Sequence, residues 1–209
     1  MTLDVTKFIS EENREVKDVE RDGRPARAVI ATRVYDTDLD DLWNAVTTPE
    51  RIARWFAPVE GELRLGGRYQ IKGNAGGTVT ACDAPRSFSL TWEFGGNVTW
   101  VDLRLAPEGK KTRLTLQHTA HLDEHWGKYG PGAVGVGWDL GLFGLHRHIQ
   151  SGESISHEEA EAWSTTDEGK LFSRLSSDDW ARADIAGGAP EAQALAAAEL
   201  TRKFYSGEA

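Results

Sequence analysis

The sequence predicts an α+β fold, in which an antiparallel β-sheet is followed by a long apolar helix and then by an extra helical C-terminal segment. Three observations carry this. Between Val59 and His121, short alternating runs are separated by turns rich in Gly, Pro, Asn and Asp, the pattern of an antiparallel meander. Trp138, Leu142, Leu145 and Ile149 form one stripe at helical spacing. After Gly152 the chain turns polar, with helix-start signals and an Ala-rich stretch.

Residues 1–13 read as a polar arm. Arg14–Glu20 and Pro25–Tyr35 read as strands joined by Asp22-Gly23, a pair that tolerates the positive φ of a tight hairpin turn; Ala28, Ile30 and Val34 are expected on one face. Asp38 is placed to cap a helix carrying Leu42, Trp43 and Val46. A second short helix starts at Thr48-Pro49-Glu50, with proline at its first position and Ile52, Trp55 and Phe56 facing inward, and ends at Pro58.

Six strands follow: Val59–Leu65, Arg68–Lys72, Thr78–Asp83, Ser87–Phe94, Val98–Leu105 and Lys111–His121. Ser87–Phe94 alternates without a fault, with Phe88, Leu90, Trp92 and Phe94 on one side. On the last strand Leu114, Leu116 and His118 share a face. The apolar helix is expected over Trp138–Ile149. Beside its apolar stripe runs a second one of Gly137, Gly141, Gly144 and His148. A helical glycine costs about 1 kcal/mol relative to alanine. Three on one face therefore imply close approach of another backbone, from the sheet, the C-terminal segment or a second subunit.

Beyond Gly152, Ser156–Glu159 resembles a capping box leading to Trp163, and Asp167–Leu175 and Asp178–Ile185 read as short helices. Gly187-Gly188 breaks the chain before a helix from Pro190 to about Tyr205, with Leu195, Ala198, Arg202 and Tyr205 on one side. The expected organisation is a main domain over residues 1–152 with a helical extension, 153–209, packed on it.

Composition limits the partners. The net charge of −9, with no Lys/Arg-rich run, disfavours nucleic acid. The most apolar stretch, Gly132–Leu145, is too short to cross a bilayer, so no membrane insertion is expected. Cys82 is the sole cysteine, and the first twenty residues lack the apolar core of a signal peptide, which makes the cytoplasm the expected compartment. Eight tryptophans would suit either a Trp-rich core or a large apolar ligand.

The run RVYDTDLDDLWNAVTTPERIARWF, followed by GELRLGGRYQI, CDAPRSFSLTWEF, TRLTLQHTAHLDEHW and GVGWDLGLFGL, resembles the START-like helix-grip superfamily (SRPBCC). Within it the chain is similar to the branch of the activator of heat-shock-protein-ninety ATPase, over roughly residues 14–149. The resemblance implies a helix-grip fold: a curved antiparallel sheet wrapped around a long helix, with a cavity between them that family members use for lipids, polyketides or hormones. Carried over residue by residue, it puts Trp55, Phe56, Tyr69, Trp92, Leu103, His118, Trp138 and Leu142 on the cavity wall, with Tyr69 and His118 as the polar groups. The segment 153–209 lies beyond the usual end of this fold.

The expected function is binding of a small hydrophobic molecule. One alternative is a cyclase- or hydrolase-type enzyme, with His118 and Tyr69 as an acid–base pair and Trp92 as a stacking wall; a second is a co-chaperone-like interaction. A homodimer is expected, if one forms, through the glycine-rich helix face or the C-terminal extension. No cofactor is implied: Asn74–Gly77 is a hairpin turn with no helix behind it to hold phosphate, and no G-x-S-x-G occurs. No metal site is expected either. His118, His121 and His125 have suggestive spacing, but on a strand positions three apart face opposite ways.

Overall fold

The computed structural model of the chain describes residues 4–208, His157 by its backbone alone. In chain order the elements are α1 (Val5–Ser10), β1 (Asn13–Arg21), β2 (Arg24–Tyr35), α2 (Leu39–Thr47), α3 (Pro49–Trp55), β3 (Val59–Gly61), β4 (Arg68–Ile71) and β5 (Gly76–Asp83). Then come β6 (Ser87–Phe94), β7 (Asn97–Glu108), β8 (Lys111–His121), α4 (Glu124–Tyr129), α5 (Gly132–Ser151), α6 (His157–Ser164), α7 (Asp167–Ala186) and α8 (Glu191–Ser206). The strands form one open sheet in the order β1-β2-β8-β7-β6-β5-β4-β3. No helix among the described residues is long and apolar enough to cross a membrane.

The chain divides into two compact units, each built from separated segments. The first comprises the chain through Ala31, His121–Phe143 and the chain from Glu158; the second comprises Thr32–Ala120 and Gly144–His157.

In the first unit, the hairpin at Asp22-Gly23 forms as expected, with φ of 52° and 71°. The polar arm does not. Asp4 caps α1 by accepting from the amides of Thr6 and Lys7, and Val5, Phe8 and Ile9 are buried. Phe8 meets Phe143 with ring centroids 4.9 Å apart and Phe172 at 6.0 Å, and Trp163 closes the cluster 5.5 Å from Phe143. The apolar residues of α1 are too few for periodicity to separate them from a loop.

The two short helices expected over 167–185 are one helix, α7, of 20 residues. Ser176 and Ser177, which lie between the two expected helices, are buried within it, and Ser176 donates to Asp139. On helix α8, Leu195 is exposed, while Ala194, Ala197, Ala198 and Thr201 are buried. Small residues at these positions allow α8 to lie close to Ala181 of α7.

The glycines of α5 make room for side chains here. A Cβ at Gly132 would lie 2.9 Å from Thr201, one at Gly137 2.9 Å from the Tyr205 hydroxyl, and one at Gly135 would collide with the Trp180 indole. At these three positions the space is filled from within the chain.

In the second unit, α2 and α3 begin as expected. Asp38 accepts from the amide of Asp41, and Pro49 opens α3. The strand expected over Val59–Leu65 stops at Gly61, where φ is 104° and the Arg68 backbone comes too close for any side chain. Residues 62–67 then turn through bonds from Arg64 N to Glu62 O and Gly67 N to Arg64 O. At the end of β2, Arg33 and Tyr35 are buried and Val34 is 40% exposed, opposite to expectation. Val29 and Ala31 are buried together with Ala28 and Ile30, so alternation in this strand does not report on one covered face.

The apolar helix runs further than expected in both directions, from Gly132 to Ser151. At Gly144 a close backbone approach is found, but from α3 and not from the sheet, the C-terminal segment or a second subunit: a Cβ there would collide with the carbonyl oxygen of Trp55. The segment after α5 is tied to α3 as well, because Arg54 donates to Ser154 Oγ at 2.9 Å and to Gly152 O, and Ile155 N donates to Arg54 O at 3.0 Å. His148 completes this joint. Its Nδ1 lies 3.2 Å from Glu153 O, its Nε2 lies 3.3 Å from Arg51 Nε, and Arg51 pairs with Asp41.

Candidate functional site

The site grows from the register of β6, β7 and β8. Phe88 pairs with Leu103 and Leu103 with Leu116; Leu90 pairs with Val101 and Val101 with His118; Trp92 pairs with Thr99 and Phe94 with Asn97. Side chains alternate across a sheet, so these residues share one face. It is the face that meets α2, since the Trp43 ring lies 6.0 Å from that of Phe88.

Along this face the covering is uneven. Val101 and Leu103 of β7 and Leu114, Leu116 and His118 of β8 are buried, whereas Phe88, Leu90 and Trp92 of β6 are only half-buried. Trp43, Trp55 and Phe56 are half-buried too. The Trp55 and Phe56 rings lie 5.5 Å apart, and the Trp55 indole N–H donates to Ala45 O at 3.0 Å.

Two polar groups sit among these residues. His118 is 2% exposed, its Nε2 lies 2.8 Å from Thr99 Oγ1, and its ring meets Trp92 edge-on at 6.1 Å. Thr99 Oγ1 also lies 3.2 Å from Trp92 O, and its single proton goes either to that carbonyl or to the His118 ring nitrogen. Burial lowers the His118 pKa to about 4, and the imidazole is neutral at neutral pH.

Tyr69, also buried, donates its hydroxyl to Thr91 O at 2.7 Å. That carbonyl is reached because β5 carries Gly77, where any Cβ would collide with it. Burial, reinforced by the Glu93 carboxylate, raises the Tyr69 pKa well above that of a free phenol. Neither Tyr69 nor His118 is poised to exchange a proton near neutrality.

Six of the eight predicted wall residues, Trp55, Phe56, Tyr69, Trp92, Leu103 and His118, therefore belong to the second unit. Trp138 and Leu142 lie on the part of α5 in the first, Leu142 buried and Trp138 half-buried. Thr99 was missed, although its pairing opposite Trp92 on the inward face could have been counted from the hairpin at Gly95-Gly96. Among the described residues no group of three His, Cys, Asp or Glu converges as metal ligands. His121 Nδ1 lies 3.2 Å from Pro25 O, and the His125 ring packs 4.9 Å from Tyr129.

The first unit holds a second polar cluster that no motif announced. Asp139 is fully buried on α5, and its Oδ2 accepts from Arg14 Nε at 3.0 Å, Ser176 Oγ at 2.5 Å and Trp180 Nε1 at 3.1 Å. Arg14 also reaches Asp179 and the carbonyl oxygens of Ile9 and Glu12, with its guanidinium 5.8 Å from the Trp180 ring. This ties β1, α5 and α7 together.

The sheet order, with the long helix α5 following the last strand, is that of a helix-grip domain. The chain belongs to the family described as Activator of Hsp90 ATPase homolog 1-like protein, whose model matches residues 36–147, more than half of the chain. No curated protein matches it. The solution structure of CalU16 from Micromonospora echinospora is similar at a TM-score of 0.70 and 30% identity, covering 85% of this chain and 97% of that one. The crystal structure of CalU16 gives 0.67 and 29%, covering 85% and 99%. DynU16, a protein of the dynemicin biosynthetic locus, shares the fold at 0.54 and 20%, covering 61% of this chain and 48% of that one.

Proposed function

We propose that the protein binds a small apolar or aromatic molecule against the inner face of β6, between that strand and α2 and α3. The observation that carries this is the half-burial of Phe88, Leu90 and Trp92 beside the fully buried inner residues of β7 and β8. Apolar side chains facing a helix layer are normally covered; three in a row that are not leave apolar surface for a ligand, at about 25 cal/mol per Å² buried. Trp43, Trp55 and Phe56 add aromatic surface from the helices. Catalysis by His118 and Tyr69 has less support, because His118 is neutral and Tyr69 gives its proton to a main-chain carbonyl.

The test is a fluorescence titration with 1-anilinonaphthalene-8-sulfonate, together with native mass spectrometry of protein purified from cells. Saturable dye binding that is lost in Leu90→Glu, with the melting temperature little changed, supports the reading. Absence of dye binding and of any co-purifying small molecule overturns it.

A further inference from the structure

We infer that the ligand is held in one direction and carries a hydrogen-bond donor: a hydroxyl-bearing amphiphile, with its apolar body over Phe88 and its hydroxyl on Thr99. This rests on the binding proposed above and specifies the chemistry of that same face.

The polarity of the face changes along the strands. The row Phe88–Leu103–Leu116 is wholly apolar and lies beside Trp43. The next row, Leu90–Val101–His118, holds one polar side chain, and the row after it pairs Trp92 with Thr99. At the hairpin end, Phe94 pairs with Asn97 and both are exposed. From Phe88 to Trp92 the strand advances about 13 Å, the length of a two- or three-ring aromatic body with one substituent. A ligand lying along β6 therefore meets hydrocarbon at one end and hydrogen-bonding groups at the other.

The protons fix which polar group fits. His118 is buried, so Thr99, half-buried, presents the hydroxyl of the pair. Its one proton is taken by Trp92 O or by His118 Nε2. A hydroxyl oxygen has two lone pairs, and in either arrangement at least one remains that can only accept. An alcohol or phenol satisfies it, whereas an ether or carbonyl oxygen of the same shape does not.

The experiment is equilibrium dialysis of the full chain with 2-naphthol and with 2-methoxynaphthalene, which share a ring body and differ in the donor. The wild-type chain is expected to bind 2-naphthol about three- to tenfold more tightly, the worth of one net hydrogen bond. Thr99→Val should abolish that ratio and Thr99→Ser should restore it. Phe88→Ala should weaken both probes by the same factor and keep the ratio. Equal affinities in the wild type, or a ratio that survives Thr99→Val, overturn the donor assignment while leaving the binding reading intact. A ratio lost in Phe88→Ala reverses the direction of the ligand. If neither probe binds, the binding reading falls and this inference with it.

Discussion

The imidazole of His118 is wedged between Thr99 and Trp92, its Nε2 2.8 Å from the threonine hydroxyl and its ring 6.1 Å from the indole centroid. Burial keeps it neutral, with a pKa near 4 against 6.5 when exposed. Above pH 6.5 both folded and unfolded chains carry a neutral ring, and the group adds no pH dependence. Between pH 6.5 and 4 only the unfolded chain takes up the proton, so folding weakens as the solution is acidified, by up to about 3 kcal/mol at the lower end. Urea unfolding at pH 7, 5.5 and 4.5 should show wild type losing stability faster than His118→Gln. Parallel curves would contradict the burial argument.

The glycines of α5 make a graded set. Alanine gains about 1 kcal/mol of helix propensity over glycine. At Gly137 that gain should nearly offset displacement of the Tyr205 hydroxyl, which sits at the end of a side chain. At Gly144 the obstacle is a main-chain carbonyl and at Gly135 a buried indole, and neither yields easily. Gly144→Ala and Gly135→Ala should therefore cost about 1–3 kcal/mol or more. Thermal melts of the three variants check this order; a loss at Gly137 as large as at Gly144 would refute it.

Removing Arg14 strands the buried Asp139 carboxylate, whereas removing Asp139 leaves the guanidinium beside Asp179 and Glu12. Arg14→Met should cost about 3–5 kcal/mol, while the double variant Arg14→Met, Asp139→Leu should cost much less than the two single changes added together. A double-mutant cycle by urea unfolding reads the coupling directly, and additivity would show that the pair carries none.

Phe8→Ala opens a void beside Phe143 and Phe172 and should cost about 3–5 kcal/mol. Calorimetry of this variant distinguishes a packed α1 from a loose arm, because a loose arm would leave the transition unmoved.

The sheet could be read from the sequence because its evidence is local. Ser87–Phe94 alternates, Asp22-Gly23 and Gly95-Gly96 mark turns, and observed β6 and β8 match the expected limits. What escaped was set by distant residues. The burial of α1 depends on Phe172, some 160 residues away, and the continuity of α7 through Ser176 depends on Asp139, which receives its hydroxyl. On the site, the aromatic residues of α3 and β6 could be placed by periodicity. The hydrogen bonding of Thr99 with His118 and Trp92 O could not, since it depends on the pairing of β6, β7 and β8. The glycine stripe was legible as a demand for space, but what fills that space differs from one glycine to the next.

Arg14 has a consequence for how the chain is made. Its partner Asp179 lies 165 residues further on, so at roughly 5–20 residues per second a ribosome delivers the second half of that ion pair some 10–30 s after the first. The second unit ends at His157, so all of its residues have been made while α7 is still emerging. During that interval the guanidinium of β1 and the apolar side of α1 wait without the surfaces they are shaped for. Nascent chains stalled before α7 should be the aggregation-prone and chaperone-dependent ones, and their release should coincide with the arrival of Phe172, Ser176 and Trp180.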